Sequence, residues 1–304
     1  MKVQFSYNRG GGPGVFMKRL KQYLINHYKI SVTDNHPDIY ISAVWRGNPP
    51  KNTKVVHRVD NCYFDTLYKN STAYNSSIKN AIQRADGVVF QSQFSMKLCK
   101  GILGTRGKQH VIIYNGFDQS LCNDVVPFTH QYQYLFVSCA CWRPIKRPYA
   151  IMEAFEKSNI QNSALIMIGD GVKSLNKNII CTGSIKSPEI YNYYKAATSI
   201  IHISRLESCP NAVVEGLSFG IPIVCNNAGG TPEIVGDDGI ILPIDPPDIY
   251  KSFPMRNPDK VDIAIISDAM KKVIQSDWNI KRPDLDMSVC AKQYYDFFIK
   301  VLSK

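Results

Sequence analysis

Ser204-Arg205-Leu206-Glu207-Ser208-Cys209-Pro210-Asn211-Ala212-Val213-Val214-Glu215-Gly216 begins where an apolar run, Ser199–Ser204, ends, and it closes inside a helical pattern, Pro210–Phe219. A second β-rich run, Pro222–Cys225, follows at once. Strand, turn, helix and strand in so short a space form a βαβ unit, whose two strands lie parallel in one sheet. Both strands are short and rich in Ile and Val, as a sheet covered by helices on both faces requires. Glu207 falls just past the first strand. Pro210 takes the first helical position, where its missing N–H costs nothing. The free N–H groups of that first turn make an anion site suited to a phosphate. Glu215 follows about a turn and a half later, on the face shared by Ala212, Gly216 and Phe219. A carboxylate on an otherwise apolar helix needs a partner, because burying it alone is costly. That partner is either an Arg or Lys in a structural pair, or a ligand that small Ala212 and Gly216 let approach the backbone.

The same alternation runs outward in both directions. Toward the N-terminus the strand patterns are Lys2–Tyr7, Lys29–Thr33, Ile39–Val44, Lys54–Val59, Gly87–Gln91 and His110–Tyr114, with helices at Pro13–His27, Phe64–Ala85 and Phe94–Ile102. In the second half, strands are expected at Tyr134–Cys139, Ala164–Ile168, Ile179–Thr182 and Gly239–Leu242, and helices at Pro148–Ser158 and Pro188–Ala197. Asn115–His130 begins with Asn-Gly, a turn signal, and stays polar and aperiodic, so it is the natural boundary. Met287–Leu302 reads as a last helix, with Val289, Tyr294, Phe297, Phe298 and Val301 near helical spacing. The expected fold class is α/β: two Rossmann-like α/β/α domains, residues 1–118 and 119–285, facing each other across a cleft. A terminal helix, 286–304, is expected to pack back on the first domain. Ligands of such sheets bind beyond the carboxyl ends of the strands.

Two glutamates separated by seven residues, with Glu-Ser-Cys-Pro-Asn at the first and Glu-Gly-Leu-Ser-Phe-Gly-Ile-Pro-Ile-Val from the second, resemble the signature of retaining family 4 glycosyltransferases, which have the GT-B architecture. The similarity continues through Asn226-Asn227-Ala228-Gly229-Gly230-Thr231-Pro232-Glu233-Ile234-Val235 to Asp237-Asp238-Gly239, covers roughly Leu135 to Leu242, and weakens in the first half. The resemblance implies that Glu207 contacts donor sugar hydroxyls and Glu215 the ribose of the nucleotide. It implies that Ser208, Cys209, Pro210 and Asn211 lie against the donor, and that the Gly229-Gly230-Thr231 turn lines the donor pocket.

Trp142-Arg143-Pro144-Ile145-Lys146-Arg147 follows the first strand of the second half. Cations at a strand's carboxyl end suit a diphosphate, since Arg forks onto phosphate oxygens and Lys acts as a point charge. The family has an Arg and a Lys here, and Arg143 and Lys146 match them. Their spacing is shorter than the family's, which makes Arg147 a competitor for the second cation. Gly10-Gly11-Gly12-Pro13-Gly14 joins the first strand to the first helix, and glycines there let a phosphate approach the backbone. Gly11 and Gly12 are the expected donor-side positions. His57-Arg58-Val59-Asp60 ends a strand on the same side, so His57 and Asp60 are candidates for the acceptor side; a hydrogen-bonded structural histidine is the alternative. Asn115-Gly116-Phe117-Asp118 resembles the family's segment leaving the first domain, and a linking turn accounts for it equally well.

No His, Asp, Glu or Cys grouping stood out with metal-ligand spacing, so no metal and no cofactor is expected beyond a co-substrate, a UDP- or GDP-sugar. The 304 residues, 44% hydrophobic and 20% charged, describe a globular chain rather than a disordered one. Nine scattered cysteines without a CxxC pair, and an N-terminus without a secretory apolar stretch, lead to a cytoplasmic expectation. The net charge of +11 raises a polyanionic partner. No nucleic-acid motif accompanies it, which leaves a generally basic, soluble surface as the reading and peripheral contact at a membrane as the alternative. The expected activity is metal-independent transfer of a hexosyl or other sugar to a hydroxyl of a glycan, lipid-linked or protein-linked acceptor, with retained configuration, in glycan synthesis. A nucleotide-sugar epimerase of the same architecture, or an inactive nucleotide-sugar-binding protein, are the alternatives.

Overall fold

The computed structural model describes residues 1–6, 11–44, 47–62, 70–104, 109–245 and 260–304. The first domain runs β1 (Lys2–Phe5), α1 (Gly12–Tyr28), β2 (Ser31–Val32), β3 (Ile39–Ala43), β4 (Lys54–Val59), α2 (Ser71–Arg84), β5 (Gly87–Phe90), α3 (Gln93–Leu103) and β6 (His110–Ile112). The second runs β7 (Tyr134–Cys139), α4 (Pro148–Ser158), β8 (Ser163–Ile168), β9 (Ile179–Gly183), α5 (Ser187–Ala196), β10 (Ser199–His202), α6 (Asn211–Ser218), β11 (Ile223–Asn226), α7 (Thr231–Val235), β12 (Gly239–Leu242) and α8 (Ile263–Val273). The last helix is α9 (Met287–Leu302).

Two six-stranded, all-parallel sheets result, ordered β2-β1-β3-β4-β5-β6 and β12-β11-β10-β7-β8-β9. This is the α/β architecture the alternating pattern predicts. Each sheet buries side chains on both faces. α1 and α9 cover one face of the first sheet, and α2 and α3 cover the other. α5, α6 and α7 cover one face of the second, and α4 and α8 the other. Strand order reverses between β1 and β3 in one sheet and between β7 and β10 in the other. Neighbouring loops diverge at such points and leave a crevice beyond the strands' carboxyl ends.

α9 lies on the first domain although it is last in the chain. Asp286 caps it by accepting a hydrogen bond from Ser288 N at 2.8 Å, and Tyr294, Phe297, Phe298 and Val301 are buried in the first domain's core. Gly87 makes the approach feasible, since a Cβ there would stand 2.7 Å from Val301 and 2.8 Å from Phe297. Burying each such side chain is worth roughly 1.5–3 kcal/mol, enough to hold the chain's return across both domains.

Several boundaries moved. Pro210 is the N-cap of α6 rather than its first residue, and Pro188 stands second in α5. α2 begins at Ser71; residues 64–69 of the helix predicted from Phe64, like Tyr7 and Gly10, lie outside the described residues. α8 was not anticipated, because its Ile-rich start resembles a strand. The Asp262 cap and the buried spacing Ile266, Ala269, Met270, Val273 were its signals.

Candidate active site

The two reversal points face each other across a cleft of about 420 Å³. Four segments bring chemistry to it: the loop after β7, the turn between β10 and α6, the start of α1, and the end of β4.

β7 ends at Cys139, and the chain passes through extended Arg143 into a single turn of 3-10 helix, Pro144–Lys146. Arg143 and Lys146 both border the cleft. Lys146 forms an ion pair with Glu207, the acid of the turn after β10, and Ser204 Oγ donates to Glu207 Oε1 at 3.3 Å. Burial and the neighbouring Arg143 push the Lys146 ammonium down to about 7, and the Glu207 carboxylate opposes that shift. Arg147 is not at the site. The left-handed backbone at φ 53° turns it away, and its guanidinium forks onto Asp245 Oδ1 and Oδ2, both at 2.6 Å. The competition between Lys146 and Arg147 for the cleft is therefore decided by geometry for Lys146.

The α6 turn meets the cleft with Ser208, Cys209, Pro210, Asn211, Ala212 and Glu215. Ser208 Oγ is buried with no hydrogen-bond partner among the described residues, and so is His202 Nε2 at the end of β10. Burial and the Lys146 charge push the His202 pKa down to about 3, so its imidazole is neutral at pH 7. Sequence reading missed His202, whose only signal was its place at a strand's carboxyl end. Glu215 is buried and pairs with Arg19 of α1 at 2.6 Å. Its neighbour Gly216 serves the fold, because a Cβ there would collide with Ile200 of β10; the close approach it permits is to the strand, not to a ligand.

Gly229, Gly230 and Thr231 do not border the cleft as expected. The turn stands behind Glu207 and Ser208: Gly230 N donates to Glu207 O at 2.7 Å, and a Cβ at Gly229, where φ is 80°, would stand 2.6 Å from that oxygen. Thr231 is fully buried. Gly229 and Gly230 hold the Glu207 backbone in place, and Thr231 Oγ1 is buried with no hydrogen-bond partner among the described residues.

On the first domain, Gly12 borders the cleft and Gly11, with φ 84°, caps α1. Asn211 Nδ2 donates to Gly12 O at 3.1 Å, tying α6 to α1. Asp60 lies at the cleft, but His57 does not. His57 is fully buried within β4, with Nδ1 2.8 Å from Ser42 Oγ, so it takes the structural role. Asp60 pairs with Arg58 and accepts from Gln91 Nε2 at 2.6 Å; burial raises its pKa and the Arg58 charge opposes the rise. Arg58 also donates to Asn115 Oδ1 at 2.8 Å and stacks on Phe16 with 4.4 Å to the ring centroid. Asn115 in turn donates to Cys209 O and Asn211 Oδ1, both at 2.9 Å. The segment read as a linking turn thus fastens the two halves of the cleft floor.

Among the described residues no group of three His, Cys, Asp or Glu could hold a metal ion. Asp284-Leu285-Asp286, an Asp-x-Asp spacing the sequence reading passed over, lies away from the cleft: Asp284 pairs with Arg282, and Asp286 caps α9. Cys141 is exposed just past β7 and borders the cleft. No helix among the described residues is long and apolar enough to cross a membrane.

Residues 131–253 match the family Glycosyl transferases group 1. Over 67 residues the chain is 33% identical to the O-antigen chain mannosyltransferase B of Escherichia coli, covering 22% of this chain and 17% of that one. The matched segments span between 17% and 56% of the length of such curated relatives. Sucrose-phosphate synthase from Thermosynechococcus elongatus superposes with a TM-score of 0.74 at 12% identity, over 99% of both chains. HepE of Anabaena in complex with UDP gives 0.66 at 16% identity, over 99% of this chain and 100% of that one. The second domain thus carries a segment that matches the Glycosyl transferases group 1 model, and the two sheets together have the GT-B fold.

Proposed function

We propose that this chain transfers a sugar from a nucleotide-diphosphate donor, a UDP- or GDP-sugar, to an acceptor hydroxyl with retention of configuration, in glycan synthesis. The observation that carries the reading is the convergence of Arg143, Lys146, Glu207, Glu215 and the N-terminus of α6 on one cleft between two strand-order reversals. UDP bound to HepE, a chain of the same fold, supports a nucleotide as the ligand.

In this scheme the diphosphate lies against Arg143, Lys146 and the first N–H groups of α6, with the sugar at Glu207 and the ribose at Glu215. The bond from the anomeric carbon to the phosphate oxygen breaks, and its electron pair leaves with the phosphate. The acceptor oxygen bonds the same face of that carbon, and its proton passes to the departing phosphate. Positive charge fixed where negative charge grows lowers the barrier without reorganisation at the moment of reaction. The Lys146–Glu207 pair places the phosphate-binding cation and the sugar-binding acid side by side, so the break falls between them. Asp60, held by Arg58 and Gln91 on the opposite wall, faces the side from which an acceptor enters.

Release of nucleoside diphosphate from a donor panel, measured with and without saccharide acceptors, tests the reading. Acceptor-stimulated release with a glycosylated product is expected; interconversion of the donor sugar without transfer would place the chain among epimerases. The cations Arg143 and Lys146 take the charge-balancing role, so turnover in EDTA is expected to match that without chelator. Loss of activity restored by manganese or magnesium would contradict this part of the scheme. Cys141 supplies a further readout: bound nucleoside diphosphate is expected to slow its alkylation by iodoacetamide, followed by mass spectrometry.

A further inference from the structure

Arg19 belongs to the first domain, yet its partner is a donor-side acid of the second. Its Nη2 donates to Glu215 Oε1 at 2.6 Å and to Tyr191 Oη of α5 at 2.8 Å. The side chains are 18% and 8% exposed, so the pair is largely out of water. Phe117, where the chain leaves the first domain, lies beneath the guanidinium with 5.3 Å to the ring centroid. Of the two Glu215 oxygens, only Oε1 is engaged among the described residues, and Glu215 borders the cleft. The second oxygen is thus left for a ligand in the cleft.

We propose that Arg19 is a positioning residue for the nucleoside half of the donor: it keeps Glu215 ionised and turned so that its second oxygen meets the ribose diol. Donor affinity then depends on a side chain supplied from across the cleft, which links nucleotide binding to approach of the two domains. This rests on the reading of Glu215 as the ribose acid.

The charge balance around Glu215 explains why Arg19 is needed. Arg19 of α1, Tyr191 and Tyr194 of α5, and Cys139 at the end of β7 face the carboxylate. Burial pushes both tyrosines up and raises Cys139 to about 12, so all three are neutral near pH 7. Burial raises the Glu215 pKa as well, and Arg19 is the charge that opposes the rise. Without Arg19 the acid protonates toward neutral pH and loses an acceptor for the diol. Donor affinity should then grow as pH rises through the elevated Glu215 pKa.

Titration calorimetry with UDP and with GDP at pH 6 and pH 8.5 tests this on the wild type, Arg19→Met, Arg19→Gln, Arg19→Lys and Glu215→Gln, each confirmed folded by its melting curve. For whichever nucleotide the wild type binds, its affinity at each pH is the reference, because Lys146 at the phosphate end titrates alike in every variant. Arg19→Met and Arg19→Gln are expected to lose about tenfold or more at pH 6, the scale of one charged hydrogen bond, and to recover toward wild type at pH 8.5. Arg19→Gln keeps a donor without the charge, so it carries the test should Arg19→Met not fold. Arg19→Lys should stay close to the wild type at both pH values, and Glu215→Gln should bind weakly at both. Wild-type affinity in both neutral variants, or an equal loss at both pH values, overturns the proposal for Arg19 while leaving Glu215 in place. Glu215→Gln binding as tightly as wild type, or a wild type that binds neither nucleotide, overturns the ribose assignment and this proposal with it.

Discussion

Arg143→Ala and Lys146→Ala are each expected to lower kcat by about 10²–10³, the scale of one lost preorganised electrostatic stabiliser. Donor KM should change much less. Both cations border the cleft, and in the proposed scheme both meet a charge that grows as the phosphate departs, which makes their interaction stronger in the transition state than in the bound donor. Arg143→Lys should restore only part of the rate, because it keeps a charge and loses the planar fork. Lys146 adds a pH signature. With its ammonium pushed down to about 7, the protonated clamp is complete below that pH and is lost above it, so kcat should fall on the alkaline side of neutrality. Lys146→Arg should flatten that limb. Near-normal kcat in both alanine variants, with the proteins folded, would remove the clamp.

Arg147→Ala is expected to act on stability instead, by about 3–5 kcal/mol, as when a buried ion pair loses one partner. The fork onto Asp245 joins the turn after β7 to the end of the strand region at β12, with Asn226 Nδ2 also donating to Asp245 Oδ2 at 2.6 Å. Removing the guanidinium leaves a carboxylate that is 6% exposed with its main countercharge gone. Urea denaturation should show the loss, while the folded fraction keeps its turnover. Arg147→Met combined with Asp245→Leu should recover part of the stability, since the buried pair is removed as a whole, while Asn226 Nδ2 loses its acceptor and Arg205 an acid 3.8 Å away. Abolished turnover with unchanged denaturation would instead make Arg147 the phosphate cation.

The second domain was more legible than the first for a physical reason. Its strands are short apolar runs bounded by turn residues, and Pro148 and Pro188 mark helix starts that the chain uses. Glu207, Glu215, Arg143 and Lys146 were candidates from their places past strand ends and on a largely apolar helix, and the resemblance to the glycosyltransferase signature decided between their structural and functional readings. What local pattern does not contain is the partner across the cleft. Arg19 lies 196 residues from Glu215, and nothing near it in sequence announces an acid to be met. The same limit explains Gly229 and Gly230, which looked like ligand-facing glycines but are small because the Glu207 backbone passes against the first, and Ser208 O and Ser92 against the second. His57 and Asp60 sit three residues apart at one strand end, yet burial sends one into the sheet and the other to the cleft. Alternation along a strand is legible; which face becomes the wall of a cleft depends on the other domain.

A crystal structure with the nucleoside diphosphate that binds tests the central claim most directly. The account predicts the phosphates against Arg143, Lys146 and the N-terminus of α6, with the ribose hydroxyls on Glu215. A nucleotide bound in this cleft with its phosphates distant from both cations, or bound outside the cleft, would contradict it.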